Sequence, residues 1–212
     1  MRIRVTFAKN GALRYVGHLD LHKMWERVTR RASLSLAYSQ GFHPSPKIQL
    51  AAALPLGFSS RCELVDLWVE GETDLSRLPG DLQEAVPPGL RILNVAEVEE
   101  KSPPLQTQIL SAEFEAVLSG EKNRSDLDKK LSTVLHADSL PRERRGKAYD
   151  LRPLIEELKL IDPDADGHPR LFMRLSAREG ATGRPEEVLD ALGLPLDGIH
   201  TERTRLIFKE NV

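Results

Sequence analysis

The first half of the chain shows patterns of apolar residues that alternate between strand and helix periods. Residues 2–7 alternate polar and apolar side chains, which predicts a strand buried on one face. Residues 18–32 repeat apolar side chains at helical spacing, with Met24 beside a stripe of Leu21, Trp25, Val28 and Ala32. The remaining elements predicted in this half are strands at 48–54, 64–69 and 90–98 and a short helix at 81–86. The resulting order, β-α-β-β-α-β, is that of the ferredoxin-like fold, an antiparallel sheet covered by two helices.

A similar order follows a linker at 101–104. The elements predicted there are strands at 109–118, 171–176 and 199–208, helices at 126–136, 153–158 and 185–192, and a basic strand or hairpin arm at 142–149. We therefore predict an α+β protein of two tandem ferredoxin-like domains with antiparallel sheets. Residues 1–103 form an N-terminal domain with a basic helix and a proline-rich loop, and residues 104–212 form a diverged second domain.

Charge is distributed unevenly along the chain. Residues 1–60 hold nine basic and two acidic residues, a net charge of +7, and the remainder carries −9. Six of the eleven aromatic residues also fall within residues 1–60. Cys62 is the only cysteine, which excludes an internal disulfide and a cysteine-ligated metal cluster. The start of the chain has a strand pattern instead of a signal peptide, and no apolar run spans a bilayer, so we expect a cytoplasmic protein without a membrane segment.

The basic residues of the predicted first helix share one face. Lys23, Arg27, Arg30 and Arg31 lie opposite the apolar stripe, an arrangement that suits a phosphate backbone. Residues 39–47 form a loop stiffened by two prolines, where aromatic side chains are placed to stack on unpaired bases. The residues predicted to bind nucleic acid are Lys9, Lys23, Arg27, Arg30, Arg31, Tyr38, Phe42, His43, Lys47, Arg145, Lys147 and Arg152. A merely solvated basic face with core aromatics is the alternative.

Histidines near the helix start are candidates for chemistry. His18 and His22 are one helical turn apart with Asp20 between them, and His43 lies in the loop. The candidate catalytic residues are His18, His43 and Tyr38. Without a supporting acidic or cysteine cluster, we predict neither a metal nor a cofactor. Asp20 also suits a structural role in the first helical turn.

A second basic cluster occupies the second half of the chain. Its members are Arg142, Arg144, Arg145, Lys147 and Arg152, interrupted by Glu143 and Asp150. This cluster either extends the electropositive face of the first half or forms an exposed hairpin.

Several segments together resemble a known bacterial family. They are Gly17-His18-Leu19-Asp20, Arg27-Val28-Thr29-Arg30-Arg31-Ala32, Ala37 to Lys47, Leu54-Pro55-Leu56-Gly57, and Arg145-Gly146-Lys147 through Asp150-Leu151-Arg152-Pro153. The chain is similar to the radical-SAM-linked protein family, whose domain has no known function and occurs beside or fused to a radical SAM enzyme. Gly17 departs from that family, which usually carries serine there, but glycine is also a tolerated helix cap.

The resemblance implies a partner but no reaction. With one cysteine, the chain cannot itself ligate the cluster of a radical SAM enzyme. Our main hypothesis is an RNA-binding companion of such an enzyme in RNA modification, with tRNA or rRNA as the partner. The fold also resembles RAMP-type endoribonucleases, some of which use a histidine near the first helix, so metal-independent RNA cleavage by His18 is one alternative. A protein-interaction scaffold with an acidic partner is the other, and the oligomeric state stays open.

Overall fold

The architecture comes from a computed structural model that describes residues 1–118, 123–144 and 146–209. The chain divides into two compact units, Met1–Ile109 and Leu110–Val212. Both units combine helices with antiparallel strands, which is the α+β class that the sequence predicts. The domain boundary predicted between residues 103 and 104 stays a prediction. None of the helices in the described ranges is long and apolar enough to span a membrane.

Unit 1 has the element order predicted for the first half. Its elements are β1 (Arg2–Lys9), α1 (His18–Arg31), β2 (Ile48–Leu50), β3 (Ser59–Trp68), α2 (Leu78–Ala85) and β4 (Leu90–Val98). Within the unit the strands lie in the order β2-β3-β1-β4, and each neighbouring pair is antiparallel. The first strand of the chain is therefore flanked on both sides by strands that come later.

The core of unit 1 lies between α1 and the sheet. Leu21, Trp25 and Val28 of α1 are buried, which confirms the predicted apolar stripe. The Trp25 ring meets Phe7 of β1 edge-on, with 5.0 Å between the ring centroids. Because such a large aromatic side chain removes much apolar area from water, truncating it would cost about 3–5 kcal/mol of stability. The buried stripe fixes which face of α1 points outward.

A buried ion cluster ties both ends of unit 1 together. Asp66 of β3 is fully buried and accepts hydrogen bonds from Arg2 and Arg4 of β1, the shortest being 2.6 Å from Arg2 Nη2 to Asp66 Oδ2. Arg2 also donates to the main-chain oxygens of Ser102 and Pro103. The buried guanidinium of Arg2 thus holds the end of the unit against its first strand.

Two strand bounds in unit 1 differ from the prediction. β2 ends at Leu50, although residues up to 54 continue the apolar run. β3 begins at Ser59, five residues before its apolar stretch, because Ser59 and Ser60 are buried and Ser60 pairs with Lys9 of β1. Buried serines carry no hydrophobic signal, so a period of apolar residues cannot reveal this part of the strand.

Unit 2 contains more strands than predicted. Its elements are β5 (Ile109–Leu118), α3 (Arg124–His136), β6 (Pro141–Arg144), β7 (Lys147–Asp150), β8 (Ile155–Ile161), β9 (Arg170–Arg178), β10 (Ala181–Thr182), α4 (Pro185–Ala191) and β11 (Ile199–Phe208). Its strands run in the order β10-β9-β5-β11, β8 also pairs with β9, and β6 and β7 form a separate hairpin. In the described part of the chain, five strands lie between α3 and α4, where a ferredoxin-like order has two. The tandem repeat of that fold is thus not confirmed.

The helix predicted at 153–158 is wrong. Arg152–Leu154 forms one short 3-10 turn, and β8 begins at Ile155. The pairing of β8 with β9 shifts register between Ile155 and Glu157, so Ile155 and Leu158 are both buried at a spacing of three. A bulged strand therefore imitates helical periodicity in the sequence.

Candidate nucleic-acid interface

The proline-rich loop 39–47 is closed at its base by hydrogen bonds. Tyr38 and Pro46 form an antiparallel bridge below it. The N–H of Ser39 donates to the main-chain oxygen of Ser45 at 2.9 Å, and the N–H of Ser45 donates to Ser39 Oγ at 3.0 Å. Lys47 continues the closure with an N–H bond to the oxygen of Ala37. The loop is thus a fixed projection from unit 1.

The tip of loop 39–47 presents an aromatic ring to solvent. Gly41 has a φ of 132°, a conformation that favours glycine, and it comes directly before Phe42. The exposed fraction of Phe42 reaches 103%, and His43 beside it is also exposed. Tyr38 at the base is 53% exposed. An exposed ring on a closed loop suits stacking against a planar ligand such as an unpaired base.

The outward face of α1 carries cations that the fold does not neutralise. Lys23, Arg27, Arg30 and Arg31 are all exposed, as predicted from the helical wheel. Among the described residues, no carboxylate pairs with Lys23, Arg27 or Arg31. Arg30 donates from Nε to the main-chain oxygen of Glu26 at 3.1 Å, which leaves its terminal nitrogens available. A row of unpaired cations attracts a phosphate backbone by releasing counterions.

The loop base and the second half of α1 meet at one groove. Thr29 and Arg30 of α1 line it together with Tyr38 and Pro46. One predicted cation, Arg30, and one predicted stacking residue, Tyr38, therefore share this groove. We refer to the α1 face (Lys23, Arg27, Arg30 and Arg31) and loop 39–47 as the candidate interface. Lys47 is exposed at the end of this loop.

The three candidate catalytic residues do not share a cleft at this groove. His18 begins α1 and lies twelve residues before Arg30, which is about 18 Å along the helix axis. Tyr38 lines the groove beside Arg30, and His43 lies on the loop tip. His18 is half-buried and already interacts with other groups of the fold. Of these three side chains, Tyr38 alone lines the groove.

The structure contradicts the prediction that Lys9 contacts RNA. Its side chain is 1% exposed, and Nζ donates to the main-chain oxygen of Val16 at 3.1 Å. Lys9 ends the central strand β1 and pairs with Ser60 of β3 on one side and Leu90 of β4 on the other. Neighbours on both sides exclude solvent, so this cation stabilises the fold and does not meet a ligand.

The structure also contradicts the prediction that Arg152 contacts RNA. Its guanidinium donates to the main-chain oxygen of Leu135 from two nitrogens, at 3.1 and 2.8 Å, and to that of Ile155 at 3.3 Å. These bonds join the end of α3 to the start of β8. Since main-chain oxygens at a helix end lack helical partners, Arg152 satisfies groups that would otherwise need water.

Two further members of the second basic cluster, Arg142 and Arg144, form ion pairs within unit 2. Arg142 pairs with Asp190 of α4 at 3.2 Å, and Arg144 pairs with Glu187 at 2.9 Å. Arg144 also donates to the hydroxyl of Tyr149, whose pKa is raised first by burial and then by its hydrogen bond to Glu187. The β6–β7 hairpin is therefore fastened to α4, and Lys147 remains exposed. Arg145 lies outside the described residues.

A group of possible metal ligands lies in the turn between β8 and β9. Side-chain ligand atoms of Asp164, Asp166 and His168 lie within 4.8 Å of one another. The Asp164 carboxylate accepts the N–H groups of Asp166 and His168 and lies 3.1 Å from His168 Nδ1. Burial raises the pKa of Asp164, but these hydrogen bonds outweigh it and lower the pKa. Hydrogen bonds within the turn account for this grouping, which the Asp-x-Asp-x-His spacing signals in the sequence.

Comparison with known proteins gives one family and a distant fold likeness. A family model described as "Uncharacterized protein conserved in bacteria (DUF2344)" matches residues 2–185. No curated protein matches the chain. A chain in the crystal structure of a Cbf5–Nop10–Gar1 complex is 11% identical, with a TM-score of 0.53, over 99% of this chain and 50% of that chain. A chain in an archaeal box H/ACA sRNP Nop10–Cbf5 complex is 12% identical, with a TM-score of 0.47, over 99% and 49%. The present chain thus spans about half the length of these two chains, and the first likeness concerns the fold alone.

Proposed function

Because the chain belongs to the uncharacterized bacterial family DUF2344, its function has to be argued from its own surface, and we propose that it binds RNA through the candidate interface. The single observation that carries this proposal is the fully exposed Phe42 ring on a closed loop. A lone exposed apolar side chain is ordinary on a protein surface. An aromatic ring held on a closed loop, in a unit whose first helix carries unpaired cations, supplies the two elements that bind unpaired nucleic acid, a stacking surface and positive charge.

The proposal extends to a partner enzyme through the sequence resemblance. Radical-SAM-linked proteins occur beside or fused to radical SAM enzymes, so we propose that this chain holds RNA, tRNA or rRNA, for such an enzyme in the cytoplasm. It acts as a binding companion and not as the catalyst. We also propose a ferredoxin-like topology for unit 1, since its strand order β2-β3-β1-β4 matches the split βαβ arrangement.

Removal of the α1 cations tests the proposal. The variant combines Lys23→Gln, Arg27→Gln and Arg31→Gln in the full chain, and binding to a short labelled single-stranded RNA is followed by fluorescence anisotropy at several salt concentrations. The wild-type affinity should fall steeply with salt, because binding releases counterions. With three phosphate contacts removed, the slope of log affinity against log salt should become shallower by about 2.

The matched control removes three other exposed cations: Lys101→Gln, Lys129→Gln and Arg205→Gln. This control has the same net charge as the test variant and should retain most of the wild-type slope. Equal losses in both variants would show a general charge effect and contradict a specific surface. A wild-type chain that binds no RNA, or binds it without salt dependence, would overturn the proposal and leave the protein-scaffold alternative.

A further inference from the structure

The groove beside loop 39–47 has the size of a small-molecule site. Its volume is about 600 Å³, within the range of about 300–1,000 Å³ that ligand pockets occupy. The buried side chains Leu34 and Leu36 form its apolar part. Tyr38 stands at one end with its ring half-exposed, and its hydroxyl has no hydrogen-bond partner among the described residues. A planar ring would rest on Tyr38 without displacing any contact of the fold.

Two carboxylates line this groove together with one cation, Arg30. Glu26 of α1 is held by His22, with 3.2 Å between Nδ1 and Oε1. Glu70 is exposed, and its side chain forms no ion pair or hydrogen bond with any residue in the described ranges. Its backbone is fixed, because its N–H donates to the main-chain oxygen of Ser35 at 2.9 Å. The Glu70 carboxylate thus projects from a fixed backbone position and is available to accept hydrogen bonds from a ligand.

A carboxylate in a nucleic-acid site repels phosphate and selects a base edge that carries donors. Of the four RNA bases, guanine alone presents two adjacent donors on its Watson–Crick edge, the N1–H and the N2 amino group. The two oxygens of one carboxylate match this pair, as they match other paired N–H donors. Adenine and cytosine each place an acceptor beside the amino group, and uracil offers one N–H between two acceptors.

We propose that the groove holds one unpaired guanine of the bound RNA, stacked on Tyr38 and recognised by Glu70. This inference rests on the proposed RNA binding and adds the base that the surface selects. Arg30, which lines the same groove, is placed to neutralise the phosphate attached to that guanine. Phe42 on the neighbouring loop then stacks on an adjacent base.

Single-guanine RNA tests the inference directly. Two labelled single strands are compared, identical except that one has a guanine where the other has an adenine, and a third has inosine, which lacks the N2 amino group. The wild-type chain should bind the guanine strand about tenfold or more tightly than the adenine strand, with inosine between them. Glu70→Gln should reduce this preference to near one, because the amide supplies only one acceptor.

The controls separate this inference from RNA binding itself. Glu72→Gln removes a nearby exposed carboxylate that does not line the groove, and it should keep the guanine preference. Ser35→Phe, a change at an exposed position, should fill the groove and abolish the preference. Salt-dependent binding of all strands with equal affinity would overturn the guanine site and leave the proposed function intact. Absence of any RNA binding would overturn both.

Discussion

Phe42 is more exposed than Tyr38, and we expect its ring to supply one of the stacking contacts of the candidate interface. Replacing it by alanine should weaken binding of single-stranded RNA by about 1–3 kcal/mol, the cost of losing one base–aromatic stack. Duplex RNA, whose bases are already stacked, should lose little affinity. The measurement is a titration of both RNAs with the wild-type, Phe42→Ala and Phe42→Trp chains.

Tryptophan at position 42 should retain the affinity for single strands, because it offers a larger ring. The thermal midpoint should not change in either variant, since Phe42 is fully exposed and contributes nothing to the core. Equal losses on single-stranded and duplex RNA would argue against stacking and for a change in the loop itself.

Arg152 illustrates the opposite case, a cation that serves the fold. Arg152→Ala leaves the main-chain oxygens of Leu135 and Ile155 without their donors, which should cost about 1–3 kcal/mol of unfolding free energy. RNA affinity should stay at the wild-type value. Chemical denaturation and RNA titration of the same preparation check both statements, with the exposed Lys147→Ala as the control. If Arg152→Ala left the stability unchanged but weakened RNA binding, Arg152 would be an RNA contact after all.

The sequence separates exposed from structural cations only where a regular period applies. On α1 the helical wheel places Lys23 and Arg27 outward, and both are exposed. Lys9 and Arg152 lie at a strand end and in a turn, where burial depends on partners distant in sequence, such as Ser60 and Leu135. No local pattern carries that information.

At the scale of elements, α4 and the β6–β7 hairpin form an ion-paired unit with a pH-dependent member. Burial is the main cause that raises the pKa of Glu186 above its ordinary value of 4.5, and Glu186 Oε2 has no hydrogen-bond partner in the described part of the chain. A raised folded-state pKa means that this group favours the folded state most at low pH. The contribution of Glu186 to the free energy of unfolding is lost as the pH rises through its folded-state pKa.

Glu186→Gln removes the charge that burial disfavours at neutral pH. The variant should therefore unfold at a higher temperature than wild type at pH 7, and the difference should shrink towards pH 4. Calorimetry across this pH range measures it, with the exposed Glu179→Gln as the matched control. A variant less stable than wild type at pH 7 would show that α4 requires the carboxylate.

Element prediction from the sequence succeeds where one period persists. α1 follows its apolar stripe closely, and it begins at His18 as predicted. Pro153 at a first-turn position favours a helix at 153–158, but the segment forms a 3-10 turn followed by β8, whose bulge buries Ile155 and Leu158 three residues apart. Tertiary pairing creates the bulge, so no local pattern in the sequence specifies it.

At the scale of the whole molecule, the sequence shows that the first 60 residues are basic and the rest acidic. It does not show which of the basic side chains stay exposed and unpaired in the fold. The net charge of +7 over residues 1–60 counts Arg2, Arg4 and Lys9 as equals of the α1 cations. In the fold, Asp66 binds Arg2 and Arg4, and Lys9 is buried. The groove is likewise invisible in the sequence, because Glu70 and Tyr38 meet Arg30 only through the folding of unit 1.

The position of β1 has a consequence for synthesis on the ribosome. β1 precedes both of its neighbours in the chain, so its edge towards β3 stays unpaired until residue 68 has been translated and its edge towards β4 until residue 98. Arg2 gains its last partners when Ser102 and Pro103 follow. During this interval the nascent strand exposes Ile3, Val5 and Phe7 together with open hydrogen-bonding edges, the features that recruit chaperones or drive aggregation. The sheet of unit 1 is therefore complete only after β4 has been translated, and a chain that stops before β4 leaves one edge of β1 unpaired.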